Sequence, residues 1–168
     1  MSDSHKDISG AEALDKIKEI VGHSRTCQML TNLTHRPICS RPMGVQKMDE
    51  QGRMRFLSHK SSKKNVEISA SNEVQLEFIN DSDLEYLSLY GTAEIYRDQK
   101  EIDELYSKFA DNWFDGKEDP NITIIRFTPV EGRYSDTKHG KFAQYVAMIS
   151  GAITGKNGSD GIEGQISI

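Results

Sequence analysis

The most restrictive feature of this chain is a strict two-residue alternation near its middle, where Val74, Leu76 and Phe78 alternate with Gln75 and Glu77. Successive side chains of an extended strand point to opposite faces, so this pattern predicts a strand with one buried and one wetted face. Met54 and Phe56 repeat it against Arg53 and Arg55. Further strands are predicted at Thr26 to Leu33, Ile38 to Met48, Leu84 to Tyr96 and Ile122 to Val130, with a short last one at Arg133 to Asp136. Turns at Thr34-His35-Arg36-Pro37, Asp49-Glu50-Gln51-Gly52 and Asp81-Ser82-Asp83 separate several of them, with Gly52 free to take positive φ. Pro42 cannot donate to a ladder, so its strand must run at an edge or carry a bulge. The first three strands read as an antiparallel meander.

Helical spacing interrupts this pattern. Ser9 and Glu12 have the spacing of a capping box, and Leu14, Ile17 and Val21 follow on one face, with Gly22 as a stop. A short helix is predicted over about Ser62 to Ser69. Another starts at Asp98 and Glu101, with Ile102, Leu105, Phe109 and Trp113 at steps of three and four. Phe142, Tyr145, Ile149 and Ile153 predict a last helix over Phe142 to Thr154. Residues 1–10 read as a flexible N-terminus and 11–154 as one ordered domain. Residues 155–168, with Gly155, Gly158, Gly161 and Gly164 among polar neighbours, read as a flexible tail. A docking strand at Ile162 to Ile168 is the alternative. Six or seven strands with interspersed helices make an α+β fold, and a small split β-barrel removes exposed edges economically.

A length of 168 residues suits a single domain. The net charge of -5 argues against nucleic-acid binding, which needs many phosphates neutralised by a basic face. No run approaches the roughly 20 apolar residues of a membrane span, and Met1 to Gly10 lacks a secretory signal's apolar stretch. Cys27 and Cys39 are too few for a disulfide scaffold and are expected as buried thiols on neighbouring strands. A cytoplasmic location follows by default.

The segment from Phe56 through Ser58, His59, Ser62, Lys63 and Lys64 places hydroxyls and cations directly before a predicted helix. Free N–H groups at a helix start form an anion site, and Arg41 on the preceding strand can add its forked donors. A solvated lysine face has the same local pattern. Met29-Leu30-Thr31, Ser40-Arg41-Pro42-Met43, Phe56 to Lys64, Leu89 to Glu94 and Trp113-Phe114 together resemble the pyridoxamine 5'-phosphate oxidase-like split barrels. More narrowly they resemble the general stress protein branch, over about Ala11 to Lys156.

The resemblance implies a six-stranded antiparallel split β-barrel with flanking helices, which dimerises with FMN at the subunit interface. It implies that Arg41 begins the flavin-contacting strand and that Pro42, Met43 and Gly44 run along the isoalloxazine. Leu57 and Ser58 match the pair ending the next strand, and Lys63 and Lys64, with Ser62 beside them, match the basic pair at the phosphate. Ser58 stands where threonine is common, and Lys63 stands where the oxidases carry arginine. Trp113 either belongs to the apolar stripe or lines the flavin cleft.

A terminal phosphate monoester suits three cations plus N–H donors, and no Gly-rich pyrophosphate fingerprint follows a strand. The expected function is therefore an FMN-binding flavoprotein, an oxidoreductase in which the cofactor carries the chemistry. A non-catalytic flavin protein, or a barrel binding haem, a deazaflavin or nothing, are the alternatives. The segment Phe127 to Gly140 does not match the substrate segment of true pyridoxine-phosphate oxidases. No catalytic acid or base stands out. The five histidines show no metal spacing, and Asp81, Asp83 and Glu85 read as a solvated turn.

Overall fold

The computed structural model describes residues 6–136 and 162–168. The helix expected over Phe142 to Thr154 lies outside the described residues. Nine strands are described: β1 (Ile8–Ser9), β2 (Thr26–Thr31), β3 (Cys39–Gly44), β4 (Lys47–Met48), β5 (Met54–His59), β6 (Glu73–Asn80), β7 (Glu85–Tyr96), β8 (Ile122–Asp136) and β9 (Ile162–Ser167). The helices are α1 (Gly10–His23), α2 (Lys63–Ala70) and α3 (Gln99–Leu105), followed by a 3-10 turn over Lys108–Asn112. The strand order is β1-β9-β8-β7-β6-β2-β3, with β5 joined to the first half of β8 and β4 joined to β5. Every pairing is antiparallel except β1 with β9. This is the expected α+β split-barrel class, with nine described strands in place of six. No helix among the described residues is long and apolar enough to cross a membrane.

The alternation that predicted β6 sets its burial: Val74, Leu76 and Phe78 are buried, and Gln75 and Glu77 are not. They pack with Leu87, Leu89, Phe56 and Phe127 under Ile17 and Ile20 of α1. Each such side chain contributes about 1.5–3 kcal/mol on burial. A second cluster joins Ile102 and Leu105 of α3 to Ala110, Phe114, Ile122 and Ile124. The cleft described below is lined in part by Ala110 and Phe114 of this smaller cluster.

Several local expectations are corrected. The strand predicted over Ile38 to Met48 breaks at Val45 and Gln46, whose N–H groups donate to Arg25 and Arg55 carbonyls at 2.8 and 2.9 Å. The chain thereby changes partner, from β2 before the break to β5 after it. Pro42 does sit on an edge strand among the described residues, where β3 pairs only with β2. The predicted strands Ile122 to Val130 and Arg133 to Asp136 are one strand, β8. The register against β7 shifts between Tyr90 and Gly91, so Val130 has no partner there and is exposed. The bulge falls at Val130, directly after Pro129, which has no N–H to give.

The capping box does not form. Ser9 is held in β1 and makes no side-chain cap, while Glu12 pairs with Lys6. Gly22 lies inside α1 rather than beyond it. Within the end segments expected to be flexible, the described residues include strands: Ile8–Ser9 pairs with β9, and β9 pairs with the second half of β8. Ile166, fully buried, anchors that addition. Cys27 and Cys39 lie on neighbouring strands and are free, but only Cys27 is fully buried. Burial pushes the Cys27 thiol up to about 12.

Candidate functional site

The edge strand β3, the end of β5, the start of α2 and the 3-10 turn converge on a cleft of about 530 Å³. Arg41, Pro42, Met43, Gly44, Leu57, Ser58, Lys64 and Trp113 line it. Ser62 and Lys63 do not. Ser62 caps α2, its hydroxyl accepting from the Asn65 N–H at 3.4 Å. Lys63 is 81% exposed, with its ammonium 3.8 Å from Glu67 Oε1.

The hydroxyl corner is built by short-range chemistry. Ser58, buried at the end of β5, donates to Asn65 Oδ1 at 2.7 Å and lies 3.1 Å from the Ser62 hydroxyl. Asn65 donates in turn to Thr123 Oγ1 at 2.9 Å, and Thr123 donates to the Ser58 carbonyl at 2.9 Å. This network fixes the β5–α2 corner, because Ser58 and Asn65 would otherwise leave buried polar atoms unsatisfied.

The cationic side is arranged differently. Arg41 donates from Nη2 to Glu67 Oε2 at 2.6 Å and from Nη1 to Thr31 Oγ1. Burial alone would raise the Glu67 carboxyl, but bonds from Thr31, Cys39 and Arg41 outweigh it and hold it at about 2. Lys64 is half-buried and makes no ion pair among the described residues; burial and the Arg41 charge both lower its pKa. One cation in the cleft is thus already neutralised and the other is not.

The apolar wall comes from Met43, Leu57 and Phe114, with Phe109 and Trp113 at its outer side. The expected stripe fails at Phe109 and Trp113, which are 69% and 61% exposed. α3 ends at Leu105, so the helical phase that would carry them into the core is lost. They pack edge-to-face at 4.9 Å instead. His59, outside the expected set, lines the cleft with its ring stacked on Phe114 at 6.5 Å.

Sequence patterns of the family described as pyridoxamine 5'-phosphate oxidase like match residues 12–160, most of the chain. The chain belongs to the pyridoxamine 5'-phosphate oxidase-like family. Among its relatives within and around this family, protein bli-3 of Neurospora crassa is 24% identical over 110 residues, which are 60% of this chain and 53% of that protein. General stress protein 26 of Bacillus subtilis is 35% identical over 48 residues, 29% of this chain and 34% of its own length. The chain thus spans about half and about a third of these two curated relatives. A solved structure from Jannaschia sp. CCS1, assigned as a general stress protein 26, is 26% identical with a TM-score of 0.66, covering 94% of this chain and 96% of that one. Two more distant structures share the fold and bind different ligands. One is an FMN-binding protein of Nostoc punctiforme (13% identity, TM-score 0.51, 75% of this chain and 81% of that one). The other is a heme-binding protein of Mycobacterium smegmatis (9%, 0.57, 73% and 53%).

Sequence reasoning missed Thr31, Asn65 and Glu67. Glu67 lies three residues beyond Lys64 and four beyond Lys63, a spacing that sets it beside both on a helix. That spacing was the available signal. The contact with Arg41 spans 26 residues and had none.

Proposed function

We propose that this family member is an FMN-binding flavoprotein whose bound flavin serves a redox reaction. The observation that carries the proposal is Lys64: a half-buried ammonium without an ion pair among the described residues, at the start of α2, on the wall of a largely apolar cleft. A half-buried cation of this kind favours an anionic partner. The opening N–H groups of α2 and the Ser58–Ser62 hydroxyl corner add donors suited to a phosphate monoester.

The remaining residues fit the ring of such a ligand. Among the described residues β3 has only β2 beside it, so one row of its backbone groups over Arg41 to Gly44 is available for polar edges. Met43, Leu57 and Phe114 offer a flat apolar wall that excludes water. When bound, FMN supplies hydride-accepting redox chemistry. The chain binds, orients and shields it; the Ser58 hydroxyl, committed to Asn65, holds the corner rather than moving a proton. Exposed Phe109 and Trp113 at the same cleft are suited to cover by a second copy, which supports a homodimer with the flavin at the seam.

The test is a visible spectrum of the purified chain, followed by titration with FMN. Flavin absorption bands that co-purify, or a perturbed FMN spectrum on mixing, are expected. A colourless protein that leaves added FMN unchanged refutes the proposal, and a Soret band on adding haemin in that case assigns the cleft to haem. Anaerobic bleaching by a reduced nicotinamide supports the redox role.

A further inference from the structure

We propose that His23, Asp83 and Glu85 form a binding site for a divalent transition-metal ion, away from the cleft. None of the three lines the cleft. The end of α1 brings His23 onto the start of β7, 62 residues away in sequence. One ligand atom from each of the three residues lies within 4.8 Å of the others.

Glu85 is the decisive member. Its side chain is 0% exposed, against the solvated turn the sequence predicts. Oε2 lies 2.7 Å from His23 Nδ1 and accepts from Asn80 Nδ2 at 2.9 Å. Among the described residues Oε1 has no hydrogen-bond partner. A buried carboxylate oxygen without a donor is costly, and a coordinated cation removes that cost.

The surroundings point to the same charge. The Asn80 amide also donates to Asp83 Oδ2 at 2.8 Å, so a single nitrogen holds two carboxylates side by side. Glu19 and Asp136 bring two more carboxylates to Glu85. Lys16 bonds both of them, at 2.8 and 2.9 Å, and offsets part of that charge. The α1 C-terminus presents the negative end of its dipole beside His23. His23 and Asp83 are exposed, leaving an entry path and room for water to complete the coordination. One imidazole with two carboxylates suits Zn²⁺ or Mn²⁺ better than Mg²⁺, which favours oxygen ligands and retained water. Binding replaces the His23–Glu85 hydrogen bond with coordination and leaves Asn80 to orient the carboxylates.

The experiment uses the full chain, stripped with EDTA and without FMN, titrated calorimetrically with Zn²⁺ and separately with Mn²⁺. One ion per chain is expected for at least one metal. Asp83→Asn and His23→Ala, both at exposed positions, are expected to weaken it by at least about tenfold, with unchanged circular dichroism. Glu85→Gln should do the same, and Lys64→Ala should leave metal binding intact. Absence of binding by both ions, or binding that Asp83→Asn and His23→Ala leave unchanged, overturns the proposal.

Discussion

The Arg41 guanidinium and the Glu67 carboxylate meet at 2.6 Å, across the corner between the edge strand β3 and helix α2. The pair holds one of the two cleft cations against a carboxylate, and under the function proposed above Lys64 is the cation that a phosphate would meet.

Lys64→Ala is therefore expected to weaken FMN binding by about tenfold or more, since losing a charge-assisted hydrogen bond costs about 1.5–3 kcal/mol. Lys63→Ala, at an exposed position outside the cleft, should change it little. Dissociation constants from FMN titration of the two single variants and the double variant separate the contributions. Equal losses from both single variants would show that the cleft's cation has been misassigned.

The same pair makes an acid-stability prediction. The Glu67 carboxyl sits at about 2 in the fold against an ordinary value of 4.5. Its ionised form is favoured by folding, so its contribution is fully present above about pH 4.5 and is lost as pH falls towards 2. Urea melts across this range should show Glu67→Gln less stable than wild type at neutral pH by about 1–3 kcal/mol. The gap should close on acidification. A gap independent of pH would refute the coupling.

Trp113 is the sole tryptophan of the chain and lies on the wall of the cleft. Adding FMN should quench the intrinsic tryptophan emission, and Trp113→Phe should abolish that signal while leaving the melting temperature nearly unchanged, because the side chain is largely exposed. Binding detected by absorbance without any quenching would place the flavin elsewhere.

Gly91 lies at the register shift between β7 and β8, where a Cβ would overlap the Thr128 carbonyl and come within 2.8 Å of the Phe127 ring. Gly91→Ala is expected to destabilise the fold by about 1–3 kcal/mol or more, because backbone cannot yield as a flexible side chain does. The midpoint of urea unfolding measures it, and an unshifted midpoint would contradict the close approach.

Much of the fold was legible where the information is local. The alternation at Val74 to Phe78 became β6, and Asp98 does cap α3 by accepting from the Glu101 N–H at 3.0 Å. Part of the cleft lining was legible for a related reason: Arg41 to Gly44 is one contiguous run, and Leu57, Ser58 and Lys64 lie in one short segment, although its Ser62 and Lys63 do not line the cleft. What failed depends on partners distant in sequence. The steps of three and four from Ile102 to Trp113 continue on paper, but the helix ends at Leu105 and the phase is lost. The glycine-rich composition after Gly155 conceals Ile166, whose burial depends on β8 and β1. Glu85 resembles a solvated acid in its acidic turn, and its enclosure depends partly on His23 of α1, distant in sequence.

The parallel pairing of Ile8 with Ile166 carries a consequence for synthesis of the chain. A bond from the Gln165 N–H to Asp7 Oδ1 spans 158 positions, and among the described residues the first strand has its sheet neighbour in β9. While the ribosome is still adding residues up to Ile162, the start of the chain must wait outside the sheet with its hydrogen-bonding edge open. Closing that margin has to wait for β9.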